Sequence, residues 1–133
     1  MSTQQAPRRG SRTLALETLY EHDVADRPVA EILLRHEVDP AYPYASTLVR
    51  GVMEHRVEID GLVAQRAEDW TLERMTPIDR NLLRLGVVEM VHLGVPAAVA
   101  INEAVDLAKE YSTADSGRFV NGILARIARD VSL

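Results

Sequence analysis

Guanidinium groups gather at two points of this sequence. Arg8, Arg9 and Arg12 precede the first acid, Glu17, and Arg118 sits in the run Asp115-Ser116-Gly117-Arg118-Phe119-Val120-Asn121-Gly122. Arginine's planar fork suits phosphates and base edges. Each group stands at or beside an expected helix start, where free N–H groups and the positive end of the dipole favour anions. Phe119 is the only phenylalanine, directly after Arg118, and a ring beside a guanidinium can stack an unpaired base. Plainer readings stand beside these. The arginines also suit a solubilising tail, Phe119 a core position, and Asn121 and Gly122 a closely packed spot. A third group is acidic, Glu73 and Asp79 around Met75-Thr76-Pro77. Carboxylates near a helix start are expected on dipole grounds alone.

Other chemistries find little support. The chain has no cysteine, which excludes disulfides and thiolate sites. No dinucleotide, phosphate-loop or hydrolase-elbow motif occurs. His22, His36, His55 and His92 are scattered, none four residues from another. A metal site would need tertiary proximity, and neither a metal nor a cofactor is expected. The carboxylates read as solvated helix faces, and no pair is singled out for catalysis. The net charge of −5 argues against a general polyanion binder. The charge is nonetheless uneven: from Ser116 onward, Arg118, Arg126 and Arg129 face Asp130 alone. Lys109 is the only lysine among 15 basic side chains, an excess of arginine best assigned to composition bias. No apolar run approaches the roughly 20 residues of a membrane span. Met1–Gly10 lacks the apolar stretch of a secretory signal. A soluble, cytoplasmic protein without membrane contact is expected.

The elements that must position these residues all read as helices. A chain of 133 residues, 47% hydrophobic, suits one domain with a real core. Pro7 and Gly10 make residues 1–10 a flexible basic arm. A helix capped by Ser11 follows, with Leu16, Leu19, Tyr20 and Val24 on one face. Asp26 caps a second helix opened by Pro28. Pro40 and Pro43 mark a connection. Residues 44–67 are helical, with a break expected near His55 to Glu58 because Gly51 and Gly61 weaken a single helix. Trp70 to Met75 is a linker. Thr76 and Pro77 open a helix apolar almost all round, the mark of a bundle centre. Further helices follow from about Ala100 to Tyr111 and from Asp115 or Ser116. The fold class is all-α, a compact bundle of about six or seven helices.

Several of these stretches are similar to one known family. Arg8-Arg9-Gly10-Ser11-Arg12 with Leu14-Ala15-Leu16-Glu17-Thr18-Leu19-Tyr20 resembles the opening of the transcription antitermination factor NusB family. Ile78-Asp79-Arg80-Asn81-Leu82-Leu83-Arg84-Leu85 resembles the start of its central helix. Ala100-Ile101-Asn102-Glu103-Ala104-Val105-Asp106-Leu107-Ala108-Lys109 and Asp115-Ser116 with Phe119-Val120-Asn121-Gly122-Ile123-Leu124 resemble its two most specific segments. The likeness runs from about Arg8 to Ala128. Gly10 and Ser11 depart from it, as does Gly117, where a larger side chain is common. All three thin the expected RNA-facing surface.

The resemblance implies one helical domain over residues 11–133, with packed subdomains at about 11–70 and 71–133, and no enzymatic role. It implies binding of the boxA element of ribosomal RNA leader transcripts, as single-stranded RNA. NusE, also a small-subunit ribosomal protein, would share this binding within an antitermination complex on RNA polymerase. Carried over by position, Arg8, Arg9, Arg12, Asp115, Ser116, Arg118 and Phe119 fall at the RNA. Tyr20, Val24, Glu73 and Asp79 fall at NusE, with Asp79 expected to be exposed. Ribosomal RNA cytosine methyltransferases carry a similar helical domain beside a catalytic domain. These 133 residues contain no such catalytic domain, so methyl transfer is not expected. Two alternatives compete: a protein–protein adaptor that never touches RNA, and a small helical enzyme with a dispersed acid pair. Oligomeric state is left open.

Overall fold

Apolar side chains at helical spacing call for a chain of helices, and the computed structural model, which describes residues 5–133, has seven. They are α1 (Gln5–Ala25), α2 (Val29–Leu34), α3 (Tyr42–Glu54), α4 (Arg56–Arg66), α5 (Pro77–Val87), α6 (Ala97–Tyr111) and α7 (Ala114–Asp130). A 3-10 turn, Leu72–Arg74, precedes α5, and a π-helical turn, Val88–His92, extends it. No strand occurs among the described residues.

The start of α1 corrects the expected arm. Residues 5–10 are helical, and residues 1–4 lie outside the described residues. Pro7 is tolerated because the first turn needs no intrahelical acceptor for its N–H. Ser11 therefore caps nothing. It is buried, and its hydroxyl donates to the Ala41 carbonyl at 2.9 Å. Asp26 ends α1 instead of starting α2. Its φ is 57°, a left-handed conformation that aspartate tolerates, and its N–H donates to the His22 carbonyl at 3.0 Å.

The expected break in residues 44–67 falls at His55, where φ is −107° and ψ is 22°. Thr76 caps α5 as expected, its hydroxyl accepting from the Asp79 N–H at 3.2 Å, with Pro77 as first residue. Every residue from Asn81 to Met90 is buried. The helix occupies the centre, against α1, α4, α6 and α7. One apolar cluster joins Leu16 and Leu19 of α1, Leu48 and Val52 of α3, Leu82 and Leu83 of α5, Leu107 of α6, and Leu124 and Ile127 of α7. Full burial of each such side chain stabilises by about 1.5–3 kcal/mol. Thr113 caps α7 by accepting from the Ser116 N–H at 3.1 Å. No described helix is long and apolar enough to cross a membrane.

Candidate nucleic-acid interface

The three N-terminal arginines meet three different fates. Arg8 lies over the Tyr44 ring, its guanidinium carbon 4.3 Å from the centroid. Such a contact holds the cation while leaving its N–H groups available. Arg9 reaches α6, where its Nε lies 2.7 Å from Glu103 Oε1 and its Nη2 2.9 Å from Asp106 Oδ2. The hydrogen bond to Glu103 raises its pKa against partial burial, and the charges of both acids add to that. Arg12 is only 3% exposed. Its Nε lies 2.9 and 3.0 Å from the two carboxylate oxygens of Glu89, and its Nη1 3.6 Å from Glu103. Burial works against its charge, but the hydrogen bond and charge of Glu89, then the charge of Glu103, leave its pKa raised.

The expectation that Arg12 faces RNA is thereby corrected. Its side chain points into the bundle and supports the floor beneath Arg8. Tyr44 completes that floor, donating its hydroxyl to Glu89 Oε2 at 2.6 Å. Burial, then the hydrogen bond and charge of Glu89, raise the Tyr44 phenol well above its ordinary value. It stays a neutral donor.

The second arginine group lies at the start of α7. Arg118 is exposed and pairs with Asp115 one turn away. Phe119 is partly buried and meets Trp70 edge to face, with centroids 6.3 Å apart at 74°. The pair separates two shallow clefts. One, of about 240 Å³, is lined by Arg66, Trp70, Arg118, Phe119, Gly122 and Arg126. The other, of about 270 Å³, is lined by Trp70, Arg74, Thr76, Asp79, Ser116 and Phe119. The closely packed spot at Asn121 and Gly122 is also corrected. Asn121 is exposed, and a Cβ at Gly122 would meet nothing within 4 Å.

Asp79 is buried, at 8% exposure, contrary to expectation. Its N-capping turn draws it under α7, where its Oδ2 accepts from the Ser116 hydroxyl at 3.3 Å and its Oδ1 has no partner among the described residues. Burial pushes its carboxyl up, against hydrogen bonds from Ser116 and Thr76. Asp79 thus belongs with Ser116 and not with an acidic docking face. Glu73 is exposed on the 3-10 turn and lines a separate, polar cleft with Asp23, Asp60, Arg80 and Arg84. Asp23 organises that cleft. Its pKa is lowered by the hydrogen bond from Arg80, against burial, with help from Asn81 and Arg84.

Tyr20 and Val24 do come together. They are 40% and 56% exposed and line a trough of about 590 Å³ with Leu16, Ile78 and Tyr111. Glu17 and Glu21 rim it. Residue types alone did not flag Trp70, Tyr44 or Tyr111. Their signal was an aromatic placed in a linker or at a helix end, where a core has little use for one.

The sequence profile of the NusB family matches residues 9–129. The chain belongs to the NusB family. The transcription antitermination protein NusB of Symbiobacterium thermophilum is 47% identical, the match covering 92% of this chain and 89% of that one. The structure of T. maritima NusB superposes with a TM-score of 0.84 at 36% identity, over 92% of this chain and 91% of the other. A crystal structure of the antitermination factors NusB and NusE in complex with dsRNA gives a TM-score of 0.82 at 30% identity, over 94% and 98%. Membership makes this NusB-family chain a transcription antitermination factor, one of a regulatory family.

Proposed function

We propose that this chain is a two-contact adaptor that holds boxA-type single-stranded RNA of ribosomal RNA leader transcripts together with NusE. The assembly forms on RNA polymerase in the cytoplasm. The observation that carries this reading is the uncovered trough along α1. A folded chain that leaves Tyr20 and Val24 in water beside Leu16, Ile78 and Tyr111 has an apolar surface suited to a protein partner. The relative solved with NusE and RNA shares the fold over nearly the whole chain.

The RNA would meet Arg8 and the outer face of Arg9 at one end of α1, and Asp115, Arg118 and Phe119 at the start of α7. Ser116, expected at the RNA, lies beneath them instead, 8% exposed and with its hydroxyl on Asp79. Arg8 offers phosphate contact, and the Trp70–Phe119 pair offers stacking faces for unpaired bases. Glu73 would stand at the partner's margin. Because Arg12 is buried and Arg9 and Arg118 face carboxylates, few phosphate contacts remain. The salt slope should then be shallow, about −0.7 per contact and roughly −1 to −2 in all. Affinity must come from the partner.

A gel-shift titration with boxA RNA and a scrambled control, each with and without NusE, tests the reading. Selective binding that strengthens with NusE supports it, and equal binding of both RNAs refutes it. The carboxylates facing Arg9, Arg12 and Arg118 favour a second reading, an adaptor that binds NusE without touching RNA. Cross-linking of NusE but not of RNA to this chain in the ternary mixture would select it.

A further inference from the structure

The break at His55 and the π-helical turn after α5 bring two imidazoles face to face. The His55 and His92 rings stack with centroids 3.7 Å apart and planes 7° from parallel. Glu58, one turn along α4, reaches both. Its Oε1 lies 3.0 Å from His92 Nε2 and 3.8 Å from His55 Nδ1. One ligating atom from each of the three residues lies within 4.8 Å of the other two. The remaining nitrogen of His55, Nε2, is 3.3 Å from Glu54 Oε2.

We propose that His55 Nδ1, His92 Nε2 and the Glu58 carboxylate form a binding site for a borderline first-row divalent cation, of which Zn²⁺ is the type. Two imidazoles and one carboxylate are its ordinary protein ligands, and a fourth position stays open to water. Bonds of about 2.0–2.1 Å in a tetrahedron set ligand atoms roughly 3.3–3.5 Å apart. An ion lies in the plane of each imidazole that binds it, so the stacked rings must also turn out of parallel. Side-chain rotation supplies both changes, since His55, His92 and Glu58 keep 32%, 22% and 51% of their side-chain surface in water. Glu54 stands where carboxylates serve behind a ligating histidine, its Oε2 3.3 Å from Nε2; a small rotation would let it accept from Nε2–H and turn the Nδ1 lone pair toward the ion.

The backbone contributes as well. His55 sits at the helix break, so its side chain need not follow the register of α3 or α4. The wider π-helical turn shifts His92 from the register of α5, a device common at functional sites. Hard cations such as Mg²⁺ and Ca²⁺ prefer all-oxygen shells and are not served here. None of the three residues lines the trough or the clefts beside Phe119. The site is therefore separate from the trough and from the Phe119 part of the proposed RNA surface. An ion there would tie the start of α4 to the end of the central helix and stabilise the fold by an amount that grows with the logarithm of free ion above the Kd.

The test uses the untagged full-length protein and Zn²⁺, titrated in competition with a chromophoric chelator, with thermal unfolding read in parallel. The expected result is one ion per chain, a rise in Tm reversed by chelator, and no rise with Mg²⁺. His55→Gln and His92→Gln should each weaken binding at least about tenfold, while a His22→Gln/His36→Gln variant keeps wild-type affinity. Should a histidine variant fold poorly, Glu58→Gln on the exposed side reads the same loss. Absence of binding to the wild-type protein, or equal binding by wild type and His92→Gln, would overturn the proposal.

Discussion

Replacing Arg12 by alanine separates a structural arginine from an RNA-binding one. The Arg12 and Glu89 side chains are 4% and 2% exposed, and their closest contacts are 2.9 Å. In Arg12→Ala, Glu89 keeps the Tyr44 hydroxyl, 2.6 Å away, as its one close side-chain partner among the described residues. Removing one member of a buried pair costs about 3–5 kcal/mol, because the other charge stays buried. Urea m values of ~1–3 kcal/mol/M turn that cost into a midpoint drop of at least about 1 M. Equilibrium unfolding in urea, followed by circular dichroism, measures it. Replacing both partners, as Arg12→Met with Glu89→Leu, should recover part of the loss, since no charge is stranded. An Arg12→Ala protein within about 1 kcal/mol of wild type whose RNA salt slope is shallower by about 0.7 would refute the reasoning. That result would put Arg12 on a phosphate.

Asp79 and Asp23 should give opposite pH signatures. The folded pKa of Asp79 is raised, so the folded state holds the extra proton and stability falls as pH rises through that value. Asp79→Asn should therefore gain stability over wild type at pH 7, and the gain should vanish below the unfolded carboxyl pKa of about 3.9. Asp23 is lowered, so its contribution is present above about pH 3.9 and is lost as pH falls through the folded value. Asp23→Asn should weaken the protein at pH 7 and lose that effect in acid. Denaturant midpoints at pH 3 to 7 check both. Gly86→Ala should cost about 1–3 kcal/mol by overpacking. A Cβ there would lie 2.7 Å from Leu124 Cδ1, inside the fully buried contact of α5 with α7, and calorimetric Tm values would report it.

Helix identity was legible in the sequence because apolar spacing and capping residues act locally. Thr76 with Pro77 opens α5 as read, and the break near His55 lies inside the expected window. The start of α1 is hidden in the sequence because Pro7 and Gly10 look like breakers, yet a first turn accepts proline. Arg12 and Asp79 escape a local reading for a different reason. Their burial depends on Glu89, 77 positions away, and on Ser116, 37 positions away. No local pattern signals such a partner, and a charged residue taken alone reads as solvent-facing. The same holds for His55 and His92, scattered in sequence and stacked in space. Tyr20 and Val24 share an apolar face with Leu16 and Leu19 by spacing, yet they stand uncovered; spacing tells which side chains share a face and not what covers it.

The adaptor account rests on coupling between the trough and the RNA surface. The most direct measurement is the affinity for fluorescently labelled boxA RNA, by anisotropy, with and without saturating NusE, for wild type and Val24→Glu. Val24 is 56% exposed, so the variant should fold normally and bind RNA alone as wild type does. The account predicts that NusE tightens RNA binding severalfold or more for wild type, by linkage, and leaves Val24→Glu unchanged. An equal gain in both proteins, or none in either, would contradict it.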